Sequence, residues 1–247
     1  MSSCPVSWDL AESKENGSKK NKRHGRREGP AVHHSFHTIL QVTRWSACMP
    51  GTCTPMSLVI AFIGIQGAVM AGDMREIITR GDRISTETLE QELYSGLIVT
   101  DEDLKKRAGE LGIFLIIRDN KRKVTQRDGI LVGEVSETEG GVTRKRRLYA
   151  TAGEYALAGI TDADLRLTGK GKASNFVVLG NQITKQIAHD CIQEHWKNGG
   201  MHDAIRILML SMERASKATA SVSGLYTLIH TPVKVSRSEV IGRDSRQ

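Results

Sequence analysis

The stretch from Met56 to Arg75, MSLVIAFIGIQGAVMAGDMR, constrains this chain more than any other. Two apolar runs, Leu58 to Gly64 and Ala68 to Gly72, are joined by Ile65, Gln66 and Gly67. Each is strand-sized and apolar without alternation, which fits strands covered on both faces. Ser57 stands at the mouth of the hairpin, directly after an internal methionine, and Asp73 closes it sixteen residues later. If the chain begins at Ser57, that residue carries a hydroxyl nucleophile and an α-amine whose ordinary pKa is about 8. Such an amine can accept a proton near neutrality, which suits acyl transfer. As a residue type alone, a serine at a strand start more often has no catalytic role.

Charge is divided unevenly. Residues 1–55 hold eight Lys or Arg against four acids, whereas the other 192 residues hold 27 against 24. The dense basic patch, Lys19 to Arg27, lies in the leading segment, and aromatic residues make up 4% of the chain. A nucleic-acid partner is therefore not expected. No apolar run is long enough for a membrane span, so no membrane insertion is expected. Cys4, Cys48 and Cys53 precede the hairpin, and Cys191 is the only later cysteine. A lone thiol cannot staple the domain, and a reducing, cytoplasmic setting follows. Neither a cofactor nor a metal is expected; His33, His34 and His37 with Cys48 and Cys53 lack ordered elements to present them as ligands.

The organisation expected is a disordered leader over residues 1–55, a globular domain over 56–235 and a polar tail over 236–247. The leader is read as upstream sequence ahead of a start at Met56, with methionine removal exposing Ser57. An insertion occupies about 82–142. It opens with helices over Thr86–Tyr94 and from Thr100 to Leu111, the second capped by Thr100 and acidic in its first turn. Strands follow at Ile113–Arg118, Val124–Arg127 and Ile130–Val135. Beyond it come a strand over Thr143–Ala152, its partner over Glu154–Ala158, a short helix opened by Thr161 to Asp164, and a strand over Phe176–Leu179. Amphipathic helices over Asn181–Trp196 and Met201–Lys217 and a strand over Leu225–His230 complete the series.

Ser57-Leu-Val-Ile-Ala-Phe-Ile-Gly, followed by Gly67-Ala-Val-Met-Ala-Gly-Asp73-Met-Arg75, resembles the first hairpin of proteasome β subunits, which are N-terminal-nucleophile hydrolases. The closer resemblance is to the archaeal homologues called connectases, a methanogen family, through the segment Gly81 to Arg147, RLYATAGEYALAG and VVLGNQITKQIA. It spans about Met56 to Val235. It implies an α+β fold, the αββα sandwich of that superfamily with an inserted α/β subdomain that recognises the partner. It implies Ser57 as nucleophile and Asp73 as the carboxylate balancing a cation beside it, with Arg75 as a structural arginine. The cation is expected to be Lys145, in the run Arg144-Lys145-Arg146-Arg147. A solvated basic edge is the competing explanation of that run. Gly159 is expected to supply the oxyanion N–H, and a turn glycine explains it as well. Ser223 matches the serine of a Ser-Gly pair, but Ala220 stands where proteasomes carry a supporting aspartate, which argues against efficient hydrolysis.

The implied activity is reversible peptide ligation at the Asp–Pro bond of a KDPGA motif, with the A subunit of the methanogen tetrahydromethanopterin methyltransferase as natural substrate. A hydrolysing peptidase or amidase and a non-catalytic binding module remain alternatives. A monomer is favoured.

Overall fold

The computed structural model describes residues 57–139, 142–161, 164–197, 199–235 and 239. The expected leader (1–55) and nearly all of the expected tail (236–247) lie outside the described residues. The central hairpin is β1 (Leu58–Ile63) and β2 (Ala68–Asp73), buried along its whole length. It pairs antiparallel with β10 (Asn175–Gly180) on one side and β11 (Tyr226–Thr231) on the other, giving the order β10-β1-β2-β11.

Strand alternation sends the hairpin's side chains into two cores. Leu58, Ile60, Phe62, Val69 and Ala71 face α3 (Gln182–His195) and α4 (Gly200–Ala218), meeting Ala188, Ile192, Ile207, Leu208 and Met212. Phe62, Phe176 and Trp196 form an aromatic triangle there, with ring centroids 4.9 to 5.0 Å apart. Val59, Ala61, Ile63, Ala68 and Met70 face the opposite way, onto Val124, Leu131, Val135, Leu148, Ala150, Tyr155 and Leu157. These belong to a second antiparallel sheet of order β5-β6-β7-β8-β9. Its strands are β5 (Val124–Arg127), β6 (Ile130–Glu139), β7 (Val142–Thr151), β8 (Glu154–Thr161) and β9 (Asp164–Lys172). The turn from β5 to β6 is Asp128-Gly129, both with positive φ (48° and 80°), the conformation a tight hairpin requires.

The layers therefore run helices, sheet, sheet, which corrects the expected αββα sandwich. The apolar cluster on the outer face of the second sheet comprises Ile130, Val132, Tyr149, Ala156 and Ala158, with Leu165 and Val235 against it. Among the described residues it draws on no helix. The chain after Thr161, expected to open a short helix, continues from Asp164 as β9, a largely exposed edge strand.

The other two helices pack elsewhere. Here α1 (Arg83–Tyr94) and α2 (Asp101–Glu110) cover the two-stranded sheet of β3 (Glu76–Arg80) and β4 (Phe114–Arg118) through Leu89, Leu93, Leu104, Ala108, Ile77 and Ile113. Asp82 and Thr100 cap these helices by accepting from Ser85 N and Asp103 N. The stretch expected as one insertion (82–142) is thus divided. Its helices and β4 build this small unit, while β5 and β6 belong to the main sandwich.

Candidate active site

Ser57, the end of β2, the end of β10 and the start of β11 meet at one end of the four-stranded sheet. The pairing register fixes this, with Leu58 opposite Gly180, Val59 opposite Gly72 and Tyr226 opposite Asp73. Ser57 is 6% exposed. A Cβ on Gly180 would lie 2.7 Å from the Ser57 carbonyl oxygen, so only glycine admits that backbone there.

Asp73 is fully buried and organises this end. Its Oδ2 accepts from Leu58 N at 2.8 Å, which ties down the residue following Ser57. Its Oδ1 accepts from Arg75 N at 2.8 Å. Both oxygens lie 2.7 Å from Nζ of Lys123, which stands just before β5. Two buried charges in such contact compensate one another where either alone would be costly. Burial pushes the Lys123 ammonium below the ordinary lysine value, with Asp73 opposing that push and the Lys121 and Arg75 charges adding to it. Gly72 makes room for this lysine: a Cβ there would lie 2.6 Å from Val124 Cγ2 and 3.4 Å from Lys123 Cβ.

A second ionic group sits behind the first. Arg75 donates through Nε to Asp119 Oδ1 at 2.9 Å, through Nη1 and Nη2 to Asp101, and through Nη1 to the Ala220 carbonyl at 2.8 Å. Burial weakens the basicity of Arg75, but its bonds to Asp119 and Asp101 outweigh this and hold it above the ordinary arginine value. The Arg75 guanidinium in turn lowers the Asp119 carboxyl, aided by the Ser223 hydroxyl. Ser223 is buried, and its Oγ accepts from Leu225 N at 2.9 Å.

The structure therefore gathers Ser57, Asp73 and Ser223 at one end of the sheet and adds Lys123, which the sequence reading passed over. Lys145 is not part of this group. Alternation along β7 puts Lys145 and Arg147 on the face of Tyr149, the outer face of the second sheet. There Lys145 is 44% exposed and pairs with Glu134 at 3.1 Å. Gly159 also lies outside this group. It sits within β8, opposite Arg146 on one side and Arg166 on the other. The N–H of an interior strand residue is committed to the ladder rather than free to hold an oxyanion. Ala220 is buried against Leu93 and Ile98, and its N–H donates to the Ile98 carbonyl at 3.2 Å. The position where the resemblance puts an aspartate is thus apolar.

Residues 56–243 match the family model described as Connectase MJ0548-like, N-terminal domain. The chain belongs to the connectase family. Membership implies a connectase-like function, that of a protein ligase with a protein substrate as partner. No curated protein sequence matches this connectase-family chain. Among solved structures, it is similar to the Anbu (Gly-1) mutant from Hyphomicrobium sp. strain MC1, with 12% identity over 73% of this chain and 85% of that one, at a TM-score of 0.34. It is also similar to Anbu (ancestral beta-subunit) from Yersinia bercovieri, with 10% identity over 71% and 81% and a TM-score of 0.35. The Anbu complex of Pseudomonas aeruginosa, solved as a helical assembly, gives 13% identity over 70% and 80% and a TM-score of 0.33. Among the described residues, no group of three or more His, Cys, Asp or Glu is placed to hold a metal, and no helix is long and apolar enough to cross a membrane.

Proposed function

We propose that this connectase is a transpeptidase in which Ser57, as the N-terminal residue, carries the acyl group. Ser57 Oγ attacks a peptide carbonyl, the C–N bond breaks, and the hydroxyl proton passes to the departing amine nitrogen. The ester left on Ser57 then returns its acyl group to the N-terminal amine of a second peptide by the reverse steps. The bond attacked is taken to be Asp–Pro within a KDPGA-type motif, with the A subunit of the methanogen methyltransferase as the natural protein. The observation that carries this reading is the buried Asp73–Lys123 pair, anchored to Leu58 N immediately beside Ser57.

Lys123 takes the role first given to Lys145. A positive charge held here favours the alkoxide that develops on Ser57 as the bond forms. Asp73 keeps that charge in place and fixes the backbone on which Ser57 is carried. Ser223 and Asp119 position Arg75, which secures the loop 219–225 against β2. Ala220 offers no side-chain carboxylate to support the N-terminal amine, which favours return of the acyl group to an amine over transfer to water. The buried, unpaired thiol of Cys191 fits a cytoplasmic setting.

The test uses protein beginning at Ser57. With a KDPGA peptide it gains a mass equal to the leading fragment, and Ser57→Ala gains none. A second peptide with an N-terminal proline then removes the adduct and appears joined to that fragment. Net hydrolysis without an acceptor would replace this reading with a peptidase.

A further inference from the structure

β11 is an outer strand of the four-stranded sheet and pairs with β2 alone. Met74 N donates to the Leu225 carbonyl at 3.1 Å, which fixes the hydrogen-bonded pairs of this antiparallel ladder as Gly72–Thr227, Met70–Ile229 and Ala68–Thr231. The N–H and C=O groups of Tyr226, Leu228 and His230 therefore point the other way, to the open edge. Among the described residues these backbone groups meet no hydrogen-bond partner. Edge strands are ordinarily guarded by charge, proline or a bulge. Arg166, Lys170 and Lys172 guard β9 in this way. β11 reads Tyr-Thr-Leu-Ile-His-Thr, with no acid, lysine, arginine or proline, and its pairing with β2 has no bulge.

A groove of about 550 Å³ lies between that edge and α4. Its helical wall runs from His202 to Ser216, about 21 Å of helix, and its strand side is Tyr226, which faces α4 together with Leu228. The opposite flank of α4 meets α3, where Arg214 pairs with Glu194 at 2.8 Å. A Cβ on Gly67 would touch both His230 and Met201, so the start of α4 lies beside the end of β11 and the groove follows the strand. Ile205 and Met209 line it, and Met209 is 47% exposed. The charges at its rim are matched within α4: Arg206 lies 4.0 Å from Asp203, and Glu213 lies 2.6 Å from Lys217. What the groove offers is apolar surface beside unpaired main chain.

We infer that β11 is a strand-addition site: an extended segment of the protein substrate joins the sheet along this edge and seats alternate, apolar side chains in the groove against α4. This rests on the acyl-transfer reading of Ser57. The repeat of the edge names the occupant. Donors and acceptors at every second residue, about 6.8 Å apart, match the main chain of an extended polypeptide, and a groove on one face of the edge takes the side chains of one alternate set. The register ties the edge to the site. Val59 stands opposite Gly72 and Tyr226 opposite Asp73, so Leu58, Asp73 and Tyr226 form one row and β11 begins level with Ser57. The substrate has to be extended to reach Ser57, and the edge starts where it would leave. A strand added to β11 lies three strand spacings from β1, about 14 Å, a span that about four extended residues cover. Recognition then starts about four residues from the reacting bond and reads main chain and alternating apolarity more than particular side chains.

The experiment reads binding to the full chain by anisotropy. Fluorescein-labelled peptides carry KDPGA and, about four residues before or after it, either Val-Thr-Val-Thr-Val or a Gly-Ser control of equal length. The inference requires one Val-Thr peptide to bind at least about tenfold more tightly than its control. Single N-methylation along that extension must weaken binding at alternate residues and spare those between, because only every second amide faces β11. His230→Pro deletes one outward N–H without touching the β2 ladder and should weaken binding about threefold or more. Met209→Glu puts a charge into the groove and should remove the preference; Met209 is exposed, so this variant keeps the test intact if the proline variant unfolds. Equal binding of extended and control peptides overturns the inference, as does N-methylation without alternation or a preference that survives Met209→Glu. A dimer in sedimentation that Met209→Glu dissociates would assign the edge to a second copy and overturn it. Binding that appears only after residues 236–247 are removed would assign the edge to that segment and overturn it too. Loss of the Ser57 adduct with the alternation intact would instead remove the acyl-transfer reading and keep the strand-addition site.

Discussion

At the scale of single residues, the proposed chemistry rests on the Asp73–Lys123 pair. Lys123 is 5% exposed and both oxygens of Asp73 are within 2.7 Å of its nitrogen, so the charged form depends on that one carboxylate. Replacing Lys123 with Met leaves a buried carboxylate without its cation, and acyl-enzyme formation should slow by about 10²–10⁴-fold. Lys123→Arg keeps charge but cannot fit one nitrogen between the two oxygens in the same way, and partial activity is expected. The pH dependence follows from the direction of the lysine shift. Burial holds Lys123 below its ordinary value of 10.5, so its proton leaves at lower pH than a solvated lysine's. The acylation rate should fall with rising pH on an alkaline limb below 10.5, and that limb should disappear in Lys123→Arg. Stability runs the other way. Between the folded and unfolded values the unfolded chain holds more protons at this group, so its contribution to unfolding free energy rises with pH across that window. A rate profile measured on the Ser57-initiated protein checks the first sign, and denaturant titrations on either side of the window check the second.

Among the elements, the hairpin, both long helices and the capped helices of the small unit were legible because their signals are local. Leu58–Ile63 and Ala68–Asp73 are continuous apolar runs, and Thr100 with Asp103 marks a helix start whatever surrounds it. What sequence could not settle was how elements stack. Nothing local says that Asp164–Lys172 forms an edge strand instead of covering the second sheet with helix, because its residues are exposed in either case. Lys123 was passed over for a related reason. Two hairpins, β5–β6 and β7–β8, follow β4, and the run of four basic residues in β7 drew the assignment to the second. The usable signal was the Asp128-Gly129 turn, which marks β5–β6 as a tight hairpin with Lys123 at its entrance. Two substitutions separate these strands. Lys145→Gln removes a half-exposed ion pair and should change stability by less than about 0.5 kcal/mol and acylation less than twofold. Gly72→Val forces a branched side chain onto Val124 and Lys123, and should cost about 1–3 kcal/mol in a chemical denaturation midpoint while displacing the lysine.

At the scale of the whole molecule, Arg75 joins the small unit to the sandwich. It leaves the end of β2, reaches Asp101 at the start of α2 and Asp119 just past β4, and holds the Ala220 carbonyl of the loop that leads to Ser223. Arg75→Met should cost about 1–3 kcal/mol, the acids being partly solvated, and should loosen the loop 219–225 in hydrogen exchange before the hairpin. The central claim is that this sheet end exists to hold an acyl group on Ser57. Intact-mass measurement of the Ser57-initiated protein with a KDPGA peptide tests it most directly. The account predicts a stoichiometric adduct with the mass of the leading fragment, present in Lys145→Gln, greatly slowed in Lys123→Met and absent in Ser57→Ala. An adduct of undiminished yield in Ser57→Ala would contradict it.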